Sequence, residues 1–192
     1  MLRLILINIG SKAEDRGEIT MNIIGEKIIL RAIELSDKEV LLNIINDGET
    51  EYLLGGWSFP VSDLHQEEWI KSLKPNNHTL RCMIDDKQDN TAVGTVILTN
   101  IDYKNGTAEI HIKLRKDTRG KGYGTDTIKT IVKYSFDELR LHCVFAHIND
   151  DNIASQKLFK KCGFQKEGLL RSRIFKNGSY HDVFLYSILG ET

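Results

Sequence analysis

Three glycines alternate in the run Arg119-Gly120-Lys121-Gly122-Tyr123-Gly124, just ahead of a stretch with helical spacing. Glycine lets a backbone turn and approach a ligand without a Cβ in the way. Amides in such a run point at whatever lies over the helix N-terminus, where partial positive charge favours an anion. Lys113, Arg115, Lys116, Arg119 and Lys121 add five cations within nine residues, in a chain of formal net charge −1. Amides, dipole and cations together describe a phosphate cradle; the plain alternative is a flexible turn carrying a solvated run of charge. A nucleotide P-loop needs Ser or Thr after its lysine to hold magnesium, and here Gly122 follows Lys121. A dinucleotide fingerprint needs G-x-G-x-x-G with an acidic ribose ligand further on; the spacing here is G-x-G-x-G. Both lose on spacing.

Just upstream, residues 107–114 alternate strictly. Ala108, Ile110, Ile112 and Leu114 make one face; Thr107, Glu109, His111 and Lys113 make the other. Glu109 and His111, two apart on a strand, lie about 7 Å from each other on a shared face. A carboxylate beside an imidazole suits proton transfer near neutral pH. The plain alternative is the solvated side of a hairpin strand.

The elements that must position these residues alternate between strands and helices. Lys27–Ile33 reads as a strand. Ser36 with Glu39 forms a capping box for a helix running to about Asp47, with Gly48 as its stop. Tyr52–Pro60 reads as a glycine- and aromatic-rich loop, and Asp63 caps a second helix over Glu67–Leu73. Strands follow at Thr79–Asp85 and Ala92–Ile101, and Asn105-Gly106 is a hairpin signal before 107–114. Thr125–Phe136 has helical spacing, Leu141–Ile148 is a strand, and Asp150 or Asp151 caps a further helix ending at Gly163. Phe164–Phe175 and Tyr180–Leu189 close the chain around Asn177-Gly178. With no repeat and no linker, residues 21–192 read as one mixed α/β domain with antiparallel hairpins and at least one crossover.

Composition bounds the function. The chain has 192 residues, 41% hydrophobic and 28% charged, with 26 Lys+Arg against 27 Asp+Glu. That is ordinary globular chemistry without the basic excess of a nucleic-acid-wrapping protein, so no nucleic-acid partner is expected. Cys82, Cys143 and Cys162 have no C-x-x-C spacing, which points to reduced thiols in a cytoplasmic protein and to no metal site. No apolar run reaches 18 residues, so no membrane span is expected. Residues 1–20 read as an extension, a frayed arm or extra strand; Leu2–Ile9 is short for a secretory signal and no cleavage site follows. Arg16-Gly17-Glu18 can be encoded by a purine-rich run like a bacterial ribosome-binding site, at a suitable distance before Met21. Translation starting at Met21 is therefore an expectation.

The run Arg119–Gly124 resembles the [Q/R]-x-x-G-x-[G/A] signature of the GNAT superfamily of acetyl-CoA-dependent N-acetyltransferases. Asn152 to Phe164 resembles that family's later N-x-x-[A/S] helix ending in K-x-G-F. The order of strand, loop, helix, strand and helix also fits, over about Met21–Leu189. Within the superfamily the chain looks most like the group holding ribosomal-protein N-terminal alanine and spermidine acetyltransferases. The resemblance implies a GNAT-like fold with a largely antiparallel sheet flanked by helices. It implies that Arg119, Gly120, Lys121, Gly122, Tyr123, Gly124 and Thr125 hold the pyrophosphate of coenzyme A. It implies that the backbone of Ile112, Lys113 and Leu114 pairs with the pantetheine arm like an added strand. Asn152 would bond that arm, with Ser155 and Phe159 beside the thioester.

The implied reaction moves acetyl from acetyl-CoA to a primary amine: a protein N-terminus, a polyamine or another small amine. Glu109 is implied as general base, acting through a water, with His111 as second candidate. An amide near His111 or Ile112 would serve the oxyanion. Relatives carry tyrosine where this chain has Phe159, which cannot donate a proton; Tyr123 and Ser155 are weak substitutes. A thiol pKa of about 8.5 also lets thiolate leave without an acid. Cys143 and Cys162 read as core residues rather than nucleophiles. Tyr52 and Trp57, with Phe59 and Trp69 nearby, fall in the segment that lines the acceptor site in similar enzymes, or else pack the two early helices. Asp47, Glu49 and Glu51 read as a solvated helix end, or else as acids that attract a cationic acceptor. A non-catalytic acyl-CoA-binding or sensing module is the alternative function, and a homodimer is left open.

Overall fold

The structure, a computed structural model, describes residues 21–54 and 59–190. The readings of residues 1–20 and of Trp57 lie outside the described residues. The mixed α/β architecture expected from the alternating pattern is present. One eight-stranded sheet runs in the order β1 (Ile23–Ile24), β2 (Ile28–Arg31), β3 (Leu80–Asp86), β4 (Ala92–Asp102), β5 (Thr107–Leu114), β6 (Cys143–Asn149), β8 (Ser179–Leu189) and β7 (Gln165–Lys176). Every neighbouring pair is antiparallel except β5 with β6.

That exception shapes the molecule. The parallel pairing covers only Thr107↔Cys143, Ala108↔Val144 and Glu109↔Phe145. Beyond it β5 continues to Leu114 against β4 alone, and β6 continues to Asn149 against β8 alone. The sheet therefore splits at Glu109, leaving the far edge of β5 without a strand partner.

Helices cover both faces. Ala108 and Ile110 of β5 are buried with Ile128 and Ile131 of α4 (Tyr123–Asp137) and with Phe159 of α5 (Ile153–Lys161). On the other face Met83 packs with Leu41 of α1 (Lys38–Ile45) and Ile70 of α3 (Asp63–Ser72). The period-2 alternation of β5 is what sends Glu109, His111 and Lys113 to this second face.

Local chemistry moves several expected boundaries. The capping box lies two residues earlier than Ser36/Glu39, between Glu34 and Asp37 around a 3₁₀ turn. Asp37 is buried on Arg31, which it meets at 2.7 Å. Gly48 does not end a helical region but opens α2 (Gly48–Leu54), because the Asp47 carboxylate accepts from the Thr50 amide at 2.8 Å. Tyr52–Leu54, expected in a loop, are therefore the last residues of α2. Ser62, not Asp63, caps α3. Asn152, not Asp150 or Asp151, caps α5. Gly163 takes φ +92° after α5, and Asn177-Gly178 turns with φ +47° and +80°, as their left-handed roles require.

Candidate active site

A cavity of about 370 Å³ opens where β5 and β6 part. Its walls are Ile112, Lys113 and Leu114 of β5, the start of α4, and Asn152, Ser155 and Leu158 at α5, with Leu53 and Leu54 of α2 closing it. The Arg115 amide donates to the Val93 carbonyl at 2.9 Å. By the alternation of an antiparallel ladder, the amides of His111 and Lys113 share that side, and those of Ile110, Ile112 and Leu114 turn to the open edge.

The start of α4 is built for an anion. Gly122, its N-cap, takes φ +93° and supplies no side-chain cap, so the first-turn amides keep their donors. Gly120 takes φ +79°. A Cβ on Gly124 would meet Leu158 Cδ2 at 3.1 Å and Leu114 Cδ1 at 3.3 Å, so the missing side chain lets the helix sit against the cavity floor. Asp126 turns away from its own helix end; it accepts from the amides of Lys27 and Ile28 at 2.7 and 3.1 Å and pins β2 to α4.

Of the implied cofactor residues, Ile112, Lys113, Leu114, Arg119, Gly120, Gly122, Gly124, Thr125, Asn152 and Ser155 line this one cavity. Lys121 and Tyr123 instead face a smaller cavity with Lys27 and Asp86, where the Tyr123 hydroxyl donates to Asp86. That bond pushes the Tyr123 pKa up and the Asp86 carboxyl down. Phe159 is not among the described residues lining this cavity; it is 2% exposed and meets Phe164 edge to face at 4.9 Å in the core. One residue along a helix turns the side chain by about 100°, so the cavity face runs through Ala154, Ser155, Leu158 and Lys161. The helical spacing of those four was present in the sequence. Lys161, and Lys27 beside Gly122, are cations that a reading confined to the glycine run overlooks.

The acidic start of α2 is exposed at Glu49 and buried at Glu51, and both carboxylates meet cations. Glu51, buried, takes Lys113; Glu49 takes Lys116 at 2.6 Å and Arg119 at 3.2 Å; Thr50 takes Arg119 at 2.7 Å. The cations lower the Glu49 carboxyl pKa. Thus α2 clamps the cation run from across the cavity.

On the α1–α3 face, Glu109 sits where the sheet splits, its side chain 13% exposed. One carboxylate oxygen, Oε1, accepts from His147 Nδ1 at 2.8 Å and lies 3.7 Å from His111 Nε2. The other, Oε2, accepts from Asn100 at 3.4 Å. His111 Nε2 also meets Thr99 Oγ1 at 2.9 Å. Desolvation lowers the His111 pKa, opposed by Glu109 and helped by His147 and Lys113. His147 was not singled out in the sequence, because only the parallel register of β5 and β6 brings it to Glu109.

A second cavity of about 640 Å³ lies on this same face, between α1, α3 and the sheet. Its walls are chiefly Ile33, Leu41, Ile44, Trp69 and Ile97, with Lys113 shared with the first cavity; no carboxylate is among the described lining residues. Tyr52 lies apart from both. Its ring meets His181 edge to face at 6.1 Å, and a hydrogen bond with Asp151 raises its pKa. Phe59 is 70% exposed.

Comparison with known proteins agrees with this architecture. The acetyltransferase (GNAT) domain family matches residues 27–165. An N-acetyltransferase, p20, of Bacillus licheniformis is 32% identical over 169 residues, covering 85% of this chain and 93% of that protein. A spermidine N(1)-acetyltransferase of Vibrio cholerae is 30% identical over 162 residues, covering 83% and 91%. The crystal structure of a spermidine N-acetyltransferase from Vibrio cholerae in complex with CoA and spermine superposes with a TM-score of 0.79 at 30% identity, covering 85% of this chain and 95% of that one. This chain belongs to the GNAT acetyltransferase family and is an N-acetyltransferase.

Proposed function

We propose that the protein transfers the acetyl group of acetyl-CoA directly to a small primary amine. The observation that carries this reading is the convergence on one cavity of an uncapped helix N-terminus and an unpaired strand edge. The first suits a diphosphate and the second suits an amide-bearing arm. The residues fit the co-substrate: Gly120, Gly122 and the amides to Thr125 hold phosphate oxygens, and Arg119 and Lys161 add charge. Ile112 and Leu114 pair with the pantetheine, and Asn152 and Ser155 face it. Bound acetyl-CoA supplies the acyl group and a thiolate that leaves without help at a thiol pKa of about 8.5. The Ile112 amide, turned to the open edge, is the donor for the carbonyl oxygen as charge develops there. Glu109 supplies the negative charge that draws the proton from the amine, with His111 beside it.

The acceptor enters from the α1–α3 face, where Lys113 joins the two cavities. An apolar cavity without a carboxylate favours an amine borne on an apolar group over a polyamine, whose several ammonium charges need acidic partners. Incubation with acetyl-CoA and a panel of hydrophobic monoamines, peptides with free N-termini and polyamines, followed by thiol release, tests both points. Turnover is expected, fastest with hydrophobic amines. No release across the panel, with no coenzyme A binding by calorimetry, would overturn the transfer reading; preference for spermidine would overturn the acceptor reading alone.

A further inference from the structure

Glu109 is poorly placed to take a proton itself. Its side chain is 13% exposed, Oε1 is engaged by His147 and Oε2 by Asn100. His147 is more accessible than Glu109, its side chain 38% exposed, close to the 42% of His111. Its neighbours Ala146 and Ile148 are buried in the α4–α5 core, so strand alternation turns His147 to the opposite face, the one that carries Glu109.

The tautomer follows from chemistry. An ionised carboxylate only accepts, so the 2.8 Å contact requires Nδ1 of His147 to carry hydrogen. In the neutral ring Nε2 then holds the free lone pair. That nitrogen makes no hydrogen bond among the described residues, whereas His111 spends Nε2 on Thr99 at 2.9 Å.

We infer that His147 is the catalytic base of this enzyme, accepting the amine's proton on Nε2, and that Glu109 is a positioning residue that orients the ring and stabilises the imidazolium. This rests on the transfer reading above and names the atom at which the proton arrives. Two protons leave the ammonium over the reaction: one passes through Nε2 to solvent, and the other ends on the thiol. The groups facing His147 are few. Glu109 and His111 lie on β5, Thr99 and Asn100 of β4 are neutral, Phe145 stacks edge to face on β6, Leu185 is opposite on β8, and Lys113 of β5 is occupied by Glu51. Glu109 is the only described anion in direct contact. Desolvation lowers the His111 pKa, and its Nε2 is already engaged by Thr99.

His147→Asn separates the two roles, because the Asn amide can still donate to Glu109 while no ring nitrogen remains. The expected result is a loss of roughly 10²-fold or more in kcat/KM, with KM for acetyl-CoA unchanged and the acid limb of the pH profile gone. Glu109→Gln is expected to lower kcat less than His147→Asn and to keep that limb, since the ring nitrogen remains. The inference is overturned if His147→Asn keeps the wild-type rate and limb, or if Glu109→Gln abolishes the limb while His147→Asn retains it. A wild-type protein that turns over no amine at all would instead sink the transfer reading.

Discussion

Asn152 and Leu53 tie α5 to α2 across the candidate active site: the Asn152 Nδ2 donates to the Leu53 carbonyl at 3.2 Å. The oxygen of the same amide accepts from the Ser155 N–H at 3.0 Å and caps α5. One buried side chain thus starts the helix and holds the segment that closes the cavity. Asn152→Asp keeps the cap and loses the tether; Asn152→Ala loses both. The Ala variant should be less stable than the Asp variant by about 1 kcal/mol, the worth of an N-cap. In a domain of this size that is about 2–4 °C in Tm by calorimetry. Both variants should bind coenzyme A more weakly than wild type, because α2 is released.

Gly122 is held at φ +93° as the N-cap of α4. A Cβ there meets only the flexible Lys27 Nζ, at 3.4 Å, so the penalty of Gly122→Ala is conformational rather than steric. A left-handed alanine costs about 1–2 kcal/mol, readable as a lower urea midpoint with unchanged slope. If the loop relaxes to avoid that cost, its amides move, and coenzyme A affinity falls with stability. An affinity left at the wild-type value would show that these amides do not hold the diphosphate.

How much of this was legible in the sequence depends on how local the signal is. Residues 107–114 were read as a strand to the residue, because alternation and Asn105-Gly106 are both local. The start of α2 was misread because α1 stops at Ile45 and Asp47 caps the next helix two residues on, while Gly48 alone resembles a stop. The cavity stripe of Ala154, Leu158 and Lys161 has a helical spacing that is local and legible. The Glu109–His147 contact was invisible for a different reason. It depends on a parallel pairing between segments 38 residues apart, and no local pattern encodes a parallel register.

The three thiols differ in environment, and labelling should rank them. Cys82 is 4% exposed on β3, and burial pushes its pKa up to about 11. Burial also raises Cys143 and Cys162, although Lys129 and Lys161 pull Cys162 back. Because thiolate is the reacting form, iodoacetamide near neutral pH should modify Cys82 last and only on unfolding. Intact-mass kinetics would show two labels at most on the native protein. Rapid labelling of all three would contradict this packing.

Arg31 bridges two buried carboxylates, meeting Asp37 at 2.7 and 2.8 Å and Asp85 at 2.5 and 3.1 Å. Burial already raises the Asp85 pKa, with Arg31 opposing it. Arg31→Met leaves both carboxylates without a counter-charge, at a cost of about 3 kcal/mol. The folded-state Asp85 pKa then rises further above its unfolded value, so the folded variant binds protons more readily than the unfolded chain. Its deficit against wild type should therefore shrink as the pH falls from neutral toward about 5, in urea titrations. A deficit that widens on acidification would reverse the sign of the argument.

Glu49 competes for the cations that the diphosphate would use. It holds Lys116 at 2.6 Å and Arg119 at 3.2 Å, and Arg119 is on the cavity wall. Glu49→Gln removes that competition and leaves Thr50 to position Arg119 at 2.7 Å. Coenzyme A binding should tighten by about two- to fivefold at low salt, the modest size expected of an exposed pair. The gain should fade as ionic strength rises and the Debye length contracts. Dephospho-coenzyme A keeps the diphosphate and lacks the ribose phosphate, so it should show the same gain if Arg119 serves the diphosphate. A gain confined to full coenzyme A would assign Arg119 to the ribose phosphate instead.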